Sequence, residues 1–178
     1  MSFKLNLHLQ QAFALPTHHI ISIQGEDSVV FLQSQLMNDV NSLSSGLWQY
    51  TGMLNPQGRV LALFQLAQIE SEHFLLILAS LDAQWLIQHL TRFVFRSKVV
   101  INYEQDYHVQ GQFIDHQASI NCAQVITGTA HTGYILDIPD KNCTRKLLIS
   151  RTQTETQLEA IDQWHSLYMA MGWLWIDE

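Results

Sequence analysis

Arg59 stands in the stretch MLNPQGRVLALFQL, residues 53–66, and between Lys4 and Arg92 it is the only positively charged side chain. A solitary cation beside an apolar run can hold a negative group of a ligand, or it can simply sit in water after a turn. Arg92 and Arg96 stand four apart in TRFVFRSK, on one face of a helix near its C-terminal end. The helix dipole stabilises cations there, which suffices to explain them; the functional reading is an anion site for carboxylates or phosphates. Asn38 and Asp39 close an earlier helical run, where a carboxylate opposes the dipole and wants a donor. An Asx-type turn that satisfies local backbone is the plain explanation. Trp164 lies on the apolar stripe of the last helix, as a core residue or as a face for a flat heteroaromatic ligand.

Other chemistry finds little support. Nine histidines raise the question of a metal. His18 and His19 are neighbours in a strand and point to opposite faces, no HExxH or HxH occurs, and His89 and His165 lie singly on helices, so no metal is expected. GxSxG, GxGxxG and phosphate-loop patterns are absent, and ITGTAHTG lacks the lysine and the following helix that a phosphate cradle needs. Cys122 and Cys143 show no CxxC spacing and read as free thiols. NCT at Asn142 matches a glycosylation acceptor by chance in a chain without a secretion signal.

Composition narrows the class further. With 47% hydrophobic and 14% charged residues, the 178-residue chain is globular and rather apolar. Sixteen acids against nine bases give a net charge of -7, which argues against a nucleic-acid backbone as main partner. No run reaches the roughly 18 apolar residues of a membrane span, and Met1–Leu15 lacks a signal peptide's uninterrupted apolar core. A cytoplasmic protein without a membrane partner is expected.

The elements that must position these residues follow from periodicity. HIISIQG, residues 18–25, is a strand, and EDSVVFLQSQLMNDV switches to helical spacing through Val29, Leu32 and Leu36, with Glu26 and Asp27 at the helix start. A strand from Leu47 to about Leu54 meets NPQG, a turn in which Pro56 fixes φ and Gly58 tolerates a positive one. RVLALFQLAQIE is too apolar to alternate, so both its faces are covered; FLLILAS is another buried strand. Asp82 caps a helix striped by Ala83, Leu86, Ile87, Leu90 and Val94, and SKVVINYE closes the unit. The order is β-α-β-β-β-α-β with helices on one face of a mostly antiparallel sheet, an α+β fold. Residues 15–104 form this first lobe, with ferredoxin-like order. Residues 105–178 form a second, loop-rich α+β lobe with strands at YHVQGQFID, YILDIP and RKLLISR. Its helix, from roughly Glu155, carries Leu158, Ile161, Trp164, Tyr168 and Met171 on one side. The apolar ending MGWLWIDE suggests a lobe cut short at its C-terminus.

Four blocks in order, IISIQGEDSVVFLQSQLMNDVNSL, MLNPQGRVLALFQL, FVFRSKVVI and QWHSLYMAMGWLWID, resemble the YgfZ-type folate-binding proteins. These are relatives of the glycine cleavage T-protein, an aminomethyltransferase. The resemblance covers about residues 15–178 and implies lobes packed around a pocket for tetrahydrofolate or a related folate. It also implies support for iron–sulfur cluster assembly or repair, with iron–sulfur client proteins such as tRNA-modifying enzymes as partners. By matched position, Trp164 is a folate-contacting residue and His18 replaces a second aromatic one. Arg59 is then expected to face the pocket and bind the anionic ligand, with Arg96 and Asn38 as further contacts. The T-protein's acidic residue after the turn has no counterpart in Val60, Leu61, Ala62, Leu63 and Phe64, so aminomethyl transfer is not expected. The family's KGCYxGQE segment is absent too, and neither Cys122 nor Cys143 replaces it. The alternative to a non-catalytic folate-binding domain is a fold-keeping interaction domain that binds no folate; an aminomethyltransferase comes third.

Overall fold

The computed structural model describes residues 11–114, 124–138 and 144–170. In chain order the elements are β1 (Phe13–Ala14), β2 (His18–Gln24), α1 (Ser28–Gln35), β3 (Leu47–Leu54), β4 (Val60–Glu70), β5 (His73–Ala79), α2 (Ala83–Val94) and β6 (Val100–Tyr103). They continue with β7 (His108–Ile114), β8 (Ile126–Thr129), β9 (Gly133–Ile138), β10 (Thr144–Ser150) and α3 (Leu158–Ala170). One sheet runs β3-β4-β5-β2-β6 and the other β1-β7-β10-β9-β8, with every pairing antiparallel. The first sheet carries the predicted β-α-β-β-β-α-β order from β2 to β6.

Its strands are apolar on both faces because both faces are covered. Ile21, Ile23, Ala62, Phe64, Leu66, Leu76 and Leu78 pack against Phe31 and Leu32 of α1 and Leu86 and Leu90 of α2. The opposite face offers Ile20, Trp48, Ala67, Leu75 and Ile77 to a second core, completed by the other sheet and by Ala160, Trp164 and Tyr168 of α3. The two sheets also meet edge to edge. Trp48 donates its backbone N–H to the Gln124 carbonyl at 2.9 Å, and Ile126 donates to Gly46 at 2.8 Å. The Trp48 indole, fully buried, donates to the Asp137 carbonyl at 3.2 Å.

The turn at Asn55–Gly58 forms as its residues require: the Asn55 side chain accepts from Gln57 and Arg59 backbone N–H at 3.0 and 2.9 Å, and Gly58 takes φ 78°. Asp82 caps α2, accepting from Gln84 and Trp85 at 2.8 and 3.2 Å. Other expectations need correction. Asp27 makes no capping bond to α1; its carboxylate accepts the Lys98 N–H at 2.7 Å while Glu26 pairs with the Lys98 ammonium. The Asp27 side chain is turned toward the segment after α2 instead of toward its own helix. The last helix starts at Leu158, not near Glu155, and Leu158 is exposed rather than on the buried stripe; Ala160 takes that place. β1 and β8 were not predicted. Two residues are too few to show a period, and β8 buries only Ile126. Met171, the tail at 171–178, both cysteines and Asn142 lie outside the described residues.

Candidate functional site

The residues singled out in the sequence fall in three places. Arg59 stands exposed at the tip of the β3–β4 hairpin, beside the exposed apolar side chains of Leu54 and Val60. The Asn55 side chain holds its backbone in the turn, so its side chain begins where the sheet has ended. It is not among the residues that line the cleft described below, and where β4 meets the last helix the Gln65 amide donates directly to the Tyr168 hydroxyl of α3 at 2.9 Å. Arg96 is also exposed, past the end of α2 on the helix side of the first sheet, its guanidinium 5.7 Å from the Phe95 ring. Asn38 lies half-buried between Leu36 and Val40 of the helix-side core, with its Oδ1 buried and without a hydrogen-bond partner. The Asx turn beside it belongs to Asp39, which accepts the Asn41 N–H at 3.0 Å.

Trp164 and His18 lie on the other side of the sheet. Trp164 is fully buried, edge-on to Phe13 at 5.8 Å and near Phe113 and Tyr168 at 5.7 and 6.0 Å. Its seat requires a glycine opposite: a Cβ on Gly111 would come within 2.6 Å of the Phe13 ring and 3.1 Å of the indole. His18 is buried, and burial first, then the neighbouring His165 and His19, push its pKa down to about 3. It lines a cleft of about 230 Å³ with Leu15, His19, Tyr103, His108 and Thr154, in which the Tyr103 hydroxyl meets His19 Nδ1 at 2.8 Å. That volume lies below the ~300 Å³ at which small-molecule pockets begin. No Asp, Glu, Lys or Arg side chain lines it.

The sequence reading overlooked Arg145. Its side chain is fully buried, with the guanidinium carbon 5.1 Å from the Trp164 ring centre and 5.0 Å from that of Tyr168. β10 pairs it with Phe113 on one side and Ile138 on the other, in phase with inward-facing Leu147 and Ile149. Alternation in RKLLIS was the available signal: it puts one arginine on the core face. Tyr50 and Gln65 from the hairpin complete the cluster around Tyr168. Burial raises the pKa of both phenols, more than the Arg145 charge lowers it.

The cluster presents hydrogen-bond donors and ring faces rather than a group that moves protons. The Arg145 guanidinium offers N–H donors and no acceptor. Tyr50 and Tyr168 stay protonated and can donate, and none of these five side chains is a carboxylate. Along β4, Ala62 and Phe64 face the helices, Leu61 packs on the same side at a bulge, and Leu63 leans over Gly52. Among the described residues no group of three or more His, Cys, Asp or Glu is placed to hold a metal.

Two antiparallel sheets, with helices on one face of the first and a buried arginine in the core between it and the second, define an α+β domain. The chain belongs to the GCVT N-terminal domain family, whose model matches residues 13–111, more than half of it. It is 33% identical over 90 residues to the "Iron-sulfur cluster assembly factor IBA57 homolog, mitochondrial" of Pyricularia oryzae, covering 48% of this chain and 23% of that protein. It is 34% identical over 73 residues to the aminomethyltransferase of Bacillus pumilus, covering 39% of this chain and 20% of that one. The glycine cleavage aminomethyltransferase of Bartonella henselae shares the fold at a TM-score of 0.56 and 14% identity, over 90% of this chain and 45% of that structure. The chain thus spans under half the length of that structure.

Proposed function

We propose that this chain binds tetrahydrofolate or a related folate without reacting on it, as part of a factor supporting iron–sulfur cluster assembly or repair. One observation carries the reading: the hairpin strand has no carboxylate between Val60 and Phe64, yet runs past the buried Arg145–Trp164–Tyr168 cluster. General-base chemistry on an amine needs an acceptor within hydrogen-bond reach, and the cluster supplies donors. Similarity to an assembly factor on one side and to aminomethyltransferases on the other supports a shared ligand with a changed use. In this reading the ring system lies toward Trp164 and His18. The anionic tail runs along β4 to Arg59, six residues or roughly 20 Å from Gln65 at ~3.3 Å per residue. Its partners are iron–sulfur client proteins, tRNA-modifying enzymes among them.

Tryptophan fluorescence with added tetrahydrofolate tests the reading. The expected result is a saturable change, with Arg59→Ala weakening binding by about 1.4- to fivefold, since an exposed ion pair contributes ~0.2–1 kcal/mol. Glycine-dependent methylene transfer above background would overturn the non-catalytic part. A second reading, an interaction domain that binds no folate, is favoured by the complete burial of Trp164 and Arg145; absence of any fluorescence change selects it.

A further inference from the structure

We propose that the outer face of α2, bearing Trp85, His89 and Phe93 and continued by Phe95, is a docking surface for an acidic amphipathic segment of another protein. Spacing by four residues puts the first three on one stripe. Trp85 stacks on His89 at 5.3 Å and 27°, and His89 meets Phe93 at 5.5 Å, so the stripe is a continuous aromatic ladder. It flanks the buried side made by Ala83, Leu86 and Leu90, with Trp85 and Phe93 exposed and His89 half-buried between them. Phe93 is 49% exposed and Phe95 90%. Phe95 also takes φ 36°, a region that bulky side chains avoid, and gains no burial by doing so. A strained backbone that presents an aromatic ring to water is a feature folding alone does not call for.

Charge selects the occupant. Three of the chain's nine bases, Arg92, Arg96 and Lys98, gather here in a chain of net charge -7. Lys98 is paired with Glu26, whereas Arg92 and Arg96 make no ion pair among the described residues. Two open guanidinium groups beside exposed rings fit carboxylates spaced about one helical turn apart, each flanked by an apolar side chain. A second copy of this chain is disfavoured, because a two-fold contact would bring like-charged arginines together. An anionic bilayer or nucleic acid is an extended surface and meets the negative remainder of the molecule. A short acidic segment lies within the local positive field, whose reach is about 8–10 Å at ordinary salt.

The test is fluorescence anisotropy of a fluorescein-labelled amphipathic peptide, with glutamates one turn apart and leucines on the adjoining positions, titrated with the 178-residue chain. Saturable binding is expected. It should weaken by at least about tenfold (~1.4 kcal/mol) in the Phe93→Ser/Phe95→Ser pair and in the Arg92→Glu/Arg96→Glu pair, and with added salt. The same peptide with lysines in place of glutamates should not bind. Phe95 and both arginines are exposed and Phe93 is half-exposed, so the glutamate pair should keep the parent's unfolding transition; where the serine pair does not, Phe95→Ser alone serves. Any of four results overturns the proposal. They are no peptide binding, binding indifferent to both variants, preference for phosphatidylserine vesicles over the peptide, and a dimer that dissociates on Phe93→Ser.

Discussion

Among single residues, placement against the pleat decides more than chemical type. Arg59 looked special because no other cation lies near it in sequence, yet the turn delivers it to the hairpin tip. Arg145 looked ordinary within a basic stretch, yet the β10 register turns it inward against Trp164 and Tyr168. The space that makes this possible is set by Gly111. Gly111→Ala should cost about 1–3 kcal/mol in urea unfolding, because Phe13 and Trp164 have to shift for the added methyl. An unchanged midpoint would show that both rings move freely. His18 makes a prediction about pH. Its pKa is held at about 3 in the fold against 6.5 when unfolded, so between those values the unfolded chain binds the extra proton. Stability should therefore be full above about pH 6.5 and fall as pH drops toward 3, with a slope of ~1.4 kcal/mol per pH unit from this group. Urea titrations at pH 7 and pH 5 should show that loss in the parent and a smaller one in His18→Gln. Equal losses would remove His18 as the cause.

Among elements, those with a capping residue and a full stripe were legible in the sequence. α2 had both: Asp82 accepts two backbone N–H groups, and Ala83, Leu86 and Leu90 fill one side. Asp82→Ala should lower stability by about 1 kcal/mol in the same unfolding assay, and a loss near zero would mean that Trp85 and its neighbours hold the helix without the cap. The β3–β4 hairpin was legible as well, from NPQG between apolar runs. α3 was less so, because Leu158 continues the stripe in sequence but precedes the region where the second sheet covers the helix. β8 carried no signal in ITGT beyond one buried isoleucine; its pairing with β9 is supplied from outside, through backbone bonds that no local pattern reports. The candidate site shares this division. The sequence places Trp164 on the apolar stripe of its helix and His18 in its strand, and their ligand roles rest on the resemblance alone, whereas Arg145 meeting Trp164 across sheet and helix depends on tertiary contact.

At the scale of the molecule, one antiparallel sheet separates two cores, one with α1 and α2 and the other with the second sheet and α3. The site proposed for folate lies on one side and the aromatic face of α2 on the other. That separation lets a bound ligand and a docked partner coexist, which suits a factor that acts on other proteins rather than on its ligand. The proposed function stands on a folate entering the second core along the hairpin. Isothermal titration of the unmodified 178-residue chain with 5-formyltetrahydrofolate is the decisive measurement. Saturable heat at one ligand per chain is expected, and a titration indistinguishable from the buffer blank would rule the proposal out.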